Sequence, residues 1–220
     1  SERPERSCSR RMVYAPLVGL LLASRGASGS IALQPASADG GEGVVYIARH
    51  GEKAEWYSCL NATGIARAQA FPSIFEDATG VFKTPRALVA YYYGDDYHDG
   101  HKDCERCIQT LLPTSTQLGL AIQHTPNSSS TQEGTQQGAS LILAAVADEY
   151  QAGGTPVVLA VWNHHRIAAL AEVLGAPAAE IPNWDDADFD TVYELVYHGS
   201  ALTSFNVKSE GFHTAIAEER

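Results

Sequence analysis

Positive charge is scarce in this sequence: 15 Lys and Arg face 26 Asp and Glu, a net charge of −11 over 220 residues. That balance argues against nucleic acid or an anionic membrane surface as a partner, because both require a cationic face to hold their phosphates. A small anionic ligand is still compatible, since a single pocket can be cationic inside an acidic protein. Long apolar runs are missing as well. The stretch from Ala15 to Ala23 is too short to cross a bilayer, and no other stretch could do so. Methionine occurs once, at Met12, and cysteine four times, at Cys8, Cys59, Cys104 and Cys107.

The start of the chain reads as an address. Residues before Met12 look like upstream sequence. Arg10 and Arg11, the short apolar run and the small residues of "GASGS" then follow the order of a secretory signal. Residues 1–29 are therefore expected to be removed, residues 30–43 to form a flexible Gly/Ala/Ser-rich lead-in, and residues 44–220 to fold as one domain of a secreted protein. With Cys8 discarded, three cysteines permit one disulfide and one free thiol. Asn61-Ala-Thr63 and Asn127-Ser-Ser129 are N-glycosylation sequons, meaningful in that compartment.

Along the domain, strand and helix patterns alternate. "VVYIA" (44–48) is a β-branched apolar run suited to a buried parallel strand. Residues 63–75 have helical spacing, with Asn61 or Thr63 able to cap them. "RALVAYYY" (86–93) predicts a second strand. Residues 103–120 predict a helix kinked at Pro113, and 125–138 a polar loop. A helix over 139–151, a strand over 155–162 and a helix over 165–175 come next. "FDTVYELVY" and "ALTSFNV", joined by "HGS", predict a hairpin. The pattern implies one α/β domain: a three-layer α/β/α sandwich on a mostly parallel central sheet.

Two readings compete for "YYYGDDYHDGHKDCERCIQT" (91–110). His98, His101, Cys104 and Cys107, each three apart, suggest zinc. On a continuous helix they would form a stripe about 13 Å long, whereas a zinc ion needs every ligand within about 2.3 Å. Surface histidines with a structural disulfide fit better, so no metal or other cofactor is expected. The other reading keeps Arg106, near the start of a helix. Arg49 and His50 close the first strand, and His164 follows the strand at 155–162. Ligands of such sheets bind beyond the carboxyl ends of the strands, so the four side chains can converge. Guanidinium groups match phosphate oxygens with forked hydrogen bonds. A neutral imidazole can attack phosphorus if its other nitrogen is held as a donor. A second imidazole can stabilise the equatorial oxygens.

"VVYIARHGEK", "LNATGIARAQA", "ERCIQTLLPTSTQLGL", "VVLAVWNHHRIAALAEVLG" and "IPNWDDADFDTVYELVY" occur in this order between Val44 and Tyr197. Together they resemble the histidine phosphatase superfamily, with its phosphoglycerate-mutase-like fold, in the small W-x-H form. "RHGEKAE" lacks the later arginine of the phytase and acid-phosphatase branch, and His165 stands where that branch has aspartate. The resemblance implies His50 as nucleophile; Arg49, Arg106 and His164 as phosphate ligands; and a metal-independent phosphatase acting on a small phosphorylated substrate. A mutase usually needs a longer enclosing insertion than this chain offers. The family's general acid falls nearest to Glu133, with Glu52 or Asp95-Asp96 as substitutes. Asn163 stands where related members often carry Glu, which keeps open a catalytically weak phosphate-binding protein of the same fold. The acidic run "DDADFD" (185–190) reads as a stretch that caps or solvates a helix end.

Overall fold

The computed structural model describes residues 41–54, 59–93, 105–126 and 128–212. The expected signal peptide, nearly all of the lead-in, Asp95, Asp96, His98, His101, Cys104 and Asn127 lie outside them.

Among the described residues, six strands and four α-helices follow one another as β1 (Glu42–Arg49), α1 (Ala62–Ile74), β2 (Ala87–Ala90), α2 (Arg106–Leu118), β3 (Ile122–His124), α3 (Gln132–Gln151), β4 (Val157–Trp162), α4 (His164–Val173), β5 (Thr191–His198) and β6 (Ala201–Ser209). The strands form one sheet in the order β3-β2-β4-β1-β5-β6. β3, β2, β4 and β1 are parallel, while β5 runs antiparallel to β1 and closes with β6 the expected hairpin. β1 and β4 are apolar because both their faces are covered: Val44 to Ala48 and Val157 to Trp162 are all buried. Each fully buried Val, Ile or Leu contributes roughly 1.5–3 kcal/mol relative to exposure.

The crossovers explain the three layers. The connections β1 to β2 and β2 to β3 move toward the β3 edge, and β3 to β4 moves back. Right-handed crossovers of opposite direction place their helices on opposite faces. α1 accordingly packs on α2, and α3 on α4. Direction reverses at the adjacent pair β1 and β4, whose chains leave toward different faces and open a crevice at their carboxyl ends. β5, being antiparallel, brings its amino end and the segment before it to that same edge, with Val192 opposite Ala48.

Local differences from the sequence reading have physical causes. β2 is shorter than the expected strand, ending at Ala90; Tyr91 N still donates to the Val161 carbonyl of β4 at 2.9 Å, and Tyr92 and Tyr93 run on as loop. The expected loop at 125–138 is helical from Gln132, capped by Thr131, whose side chain accepts from Gly134 N. Gly134 and Gly138 hid this helix, since glycine is a poor helix former. Both are there for space: a Cβ would collide with Ser128 O at Gly134 and with the Trp162 ring at Gly138. Pro113 sits inside α2. Among the described residues, Cys59 is disulfide-bonded and Cys107 is a free, buried thiol. One proposed zinc ligand is therefore a core residue.

Candidate active site

Arg49 ends β1 opposite Trp162 of β4, and the His50 N–H donates to the Trp162 carbonyl at 3.2 Å. Register thus fixes the position of His50 at the crevice, where it is 2 % exposed. Its Nδ1 lies 2.7 Å from the Gly51 carbonyl oxygen. A carbonyl only accepts, so Nδ1 carries the proton and Nε2 keeps its lone pair. Burial, then the Arg106 charge, pushes the His50 pKa down to about 3, with Arg49 and His164 acting in the same direction. His50 is a neutral imidazole at physiological pH.

The backbone after His50 is clamped. Gly51 N donates to Thr110 Oγ1 at 3.0 Å, and that hydroxyl donates to the Arg106 carbonyl at 2.8 Å, tying the loop to the first turn of α2. A Cβ on Gly51 would stand 2.8 Å from the Gly64 carbonyl oxygen. The glycines of "RHG" and "LNATG" are thus two sides of one close backbone approach. Asn61 caps α1, its side chain accepting from Gly64 N at 2.9 Å. Arg67, buried on the same helix, grips Glu52 with a fork at 2.8 and 3.1 Å and Glu210 at 2.6 Å. Glu52, a possible acid in the sequence reading, is taken up by that fork.

Arg106 is the first residue of α2 and is buried, its guanidinium carbon 4.4 Å from the Tyr93 ring centroid. His164 is the first residue of α4, whose cap is Asn163, the side chain accepting from His165 N. The Asn163 departure therefore has a local use. The positive ends of two helix dipoles flank His50, which favours an anion between them. The His50 and His164 rings are 6.5 Å apart, centroid to centroid. His164 Nδ1 is buried without a hydrogen-bond partner, as is Arg49 Nε, while His164 Nε2 sits 2.9 Å from Asp186 Oδ1. Burial, then Arg49, lowers the His164 pKa to about 4 against the pull of Asp186. Arg49 is brought down to about 10 by burial, with Asp186 and Asp188 opposing.

The run 185–190, expected to cap or solvate a helix end, is the N-cap of none of the described helices; it walls the site. Arg49 Nη1 donates to the Asp186 and Asp188 carbonyls at 2.7 and 2.8 Å, and the Phe189 ring lies 3.7 Å under its guanidinium. Trp184 Nε1 pins the Asp188 carbonyl at 2.9 Å, and Asp188 Oδ1 turns the chain into β5 by accepting from Asp190 N and Thr191 N. Asp186 and Phe189 were missed as site residues; the antiparallel placement of the segment before β5 was the available signal. Arg49, His50, Arg106 and His164 come together. Glu133 does not join them: it is exposed in the first turn of α3, accepts from Gln137 at 3.1 Å, and lines a depression with Thr125, Pro126 and Leu141.

No family model and no curated protein matches the sequence. The fold is similar to that of solved histidine phosphatase superfamily members. One is described as an alpha-ribazole-5'-P phosphatase from Escherichia coli, at 15 % identity and TM-score 0.48, over 76 % of this chain and 96 % of that one. Another is the protein histidine phosphatase SixA complexed with tungstate, at 18 % identity and TM-score 0.45, over 76 % of this chain and 97 % of that one. A third is phosphoglycerate mutase from Bacillus anthracis, at 15 % identity and TM-score 0.46, over 78 % of this chain and 94 % of that one. Similarity at this level assigns no activity, which has to come from the side chains.

Proposed function

We propose that the protein hydrolyses a phosphate monoester through a phosphohistidine at His50, with no metal in the chemical step. The observation that carries this is the His50 tautomer: Nδ1–H is held by the Gly51 carbonyl at 2.7 Å, leaving Nε2 with its lone pair on a buried ring that the Arg106 and Arg49 charges keep neutral. Nε2 attacks phosphorus and the phosphorus–oxygen bond to the leaving group breaks. Water then attacks the phosphohistidine, frees inorganic phosphate and restores His50; the proton that water loses balances the one the leaving oxygen gains. Arg49 and Arg106 neutralise the phosphoryl oxygens, and His164, once the bound dianion has drawn a second proton onto the ring, donates to them from Nδ1. The Cys59 disulfide fits an oxidising compartment and is consistent with the export expected from residues 12–29.

A second reading, a phosphate-binding protein with little turnover, is favoured by one observation. The Asp186 carboxylate, which borders the site, is already held by His164 at 2.9 Å and so is not free to protonate a leaving group. Incubation with 32P-labelled p-nitrophenyl phosphate, quenched and analysed for acid-labile, base-stable phosphohistidine, decides between them. Hydrolysis is expected with label on wild type and none on His50→Asn. Phosphate binding with neither label nor product would leave the binder.

A further inference from the structure

His164 has two differently placed nitrogens. Nδ1 is buried in the site, and Nε2 turns outward to Asp186 at 2.9 Å. The ring of His165 lies beside it, 3.8 Å between centroids. One ligand atom from each of His164, His165 and Asp186 lies within 4.8 Å of the others, and His165 and Asp186 are exposed to solvent. The cluster opens onto a groove of about 400 Å³ floored by Ala168, Ala169, Ile181 and Trp184.

We propose that His164 Nε2, His165 and Asp186 form a site for a divalent transition cation, Zn²⁺ being the best match, on the outer wall of the phosphate pocket. Two imidazoles and one carboxylate are the donors that a borderline-soft cation takes, with water completing a tetrahedron. A tetrahedral ion between Nε2 and Oδ1 would set them about 3.3 Å apart, a small expansion that the exposed Asp186 side chain can supply. Arg49 is the opposing charge, and the Asp186 carboxylate offsets it.

The placement has a consequence for the anion. In the free protein Nε2–H donates to Asp186. A cation on Nε2 takes the place of that proton, which then sits on Nδ1 and points inward as a donor. A phosphate oxygen takes such a donor, so cation and phosphate should bind cooperatively, each raising the affinity of the other by one factor. The cooperativity rests on the phosphohydrolase reading; the cation site does not.

The test uses the full chain stripped of metal with a chelator. Co²⁺ alone, followed by its visible absorption, and Zn²⁺ alone, followed by calorimetry, should each bind with one equivalent and a tetrahedral cobalt spectrum. His165→Ala should weaken binding roughly tenfold or more, whereas His124→Ala, on the edge strand β3, should leave it unchanged. His165 lies outside the phosphate quartet, so metal-free turnover should persist in His165→Ala. Absent binding, or binding insensitive to both His165→Ala and Asp186→Ala, overturns the site. Inorganic phosphate should then bind roughly fivefold or more tighter with one equivalent of Zn²⁺. Phosphate binding that zinc leaves unchanged overturns the cooperativity. Metal bound as expected with no phosphate binding in either state supports the cation site and removes the phosphohydrolase reading instead.

Discussion

Arg49 stacks on Phe189, guanidinium carbon to ring centroid 3.7 Å, while its Nη1 is fixed by the carbonyls of Asp186 and Asp188. One segment therefore both supports the cation from below and orients it from the side. Phe189 also approaches the His50 ring at 6.4 Å. A guanidinium fixed along one edge is preorganised to offer the other to an anion. The segment before β5 is as much part of the site as the residues that carry charge.

Phe189→Ala removes the stack and keeps both carbonyls. A cation–π contact of this kind is worth about 1 kcal/mol, so phosphate affinity should fall by roughly fivefold. Calorimetric titration of inorganic phosphate measures it. Because His50 keeps its tautomer, acid-labile label on His50 should still form at saturating substrate. Loss of label at saturation would mean that Phe189 holds His50 rather than Arg49.

What the sequence made legible followed from side-chain pattern. The apolar run of β1, the order of the parallel strands' motifs, and the strand-end positions of Arg49, His50 and His164 could all be read. Arg106 could be placed at a helix start. What stayed hidden acts through backbone or through pairing. The two carbonyls on Arg49 have no residue signature, and the segment 185–190 reaches the site only because β5 runs antiparallel to β1. β3 is three residues long at the sheet edge, too short for a period to show. The first turns of α3 were masked by glycines whose role is close packing. Glu133 is a loop-like acid by sequence and a helix-start residue in the fold, engaged there by Gln137 of its own helix.

Gly64→Ala should be costly out of proportion to one methyl group. Its Cβ would collide with backbone of Glu52, two residues after His50, and backbone cannot rotate aside. Overpacking of this type costs about 1–3 kcal/mol. Gly80→Ala is the control: it has φ near +69° with nothing within 4 Å, so only the left-handed backbone conformation, about 1 kcal/mol, is at stake. Urea denaturation should rank Gly64→Ala as the less stable of the two, with loss of His50 labelling confined to it. Equal midpoints would refute the close-approach argument.

Asp186→Asn tests how His164 is oriented. The Nε2–Oδ1 contact at 2.9 Å is a hydrogen bond to a charged group, worth about 1.5 kcal/mol. Turnover should drop roughly tenfold. The fall should appear in kcat at saturating substrate as well as in kcat/KM, because a loosened His164 fails to stabilise the developing charge. Thermal stability should barely change, since the Asp186 side chain is 81 % exposed. A change confined to KM would assign Asp186 to substrate binding instead.

Acid stability should carry two opposing contributions, separable by two variants. His50 has a folded pKa of about 3, below its ordinary 6.5, because burial disfavours the imidazolium. Between those values the unfolded chain binds the extra proton, so the contribution is full above pH 6.5 and is lost as pH falls toward 3. Glu210 behaves the other way. Burial outweighs its pairing with Arg67, which already forks onto Glu52, and raises its pKa from 4.5 to about 8. Here the folded chain holds the extra proton, so the contribution is full below pH 4.5 and is lost as pH rises toward 8. A full one-proton difference gives a slope of about 1.4 kcal/mol per pH unit. Relative to wild type, His50→Asn should lose less stability from pH 6.5 to 4.5, and Glu210→Gln should gain stability from pH 5 to 8. Gln retains an oxygen for Arg67, so the second variant isolates the charge. Urea unfolding free energies at several pH values measure both. Parallel curves for wild type and Glu210→Gln would show that Arg67 keeps the buried carboxylate ionised throughout.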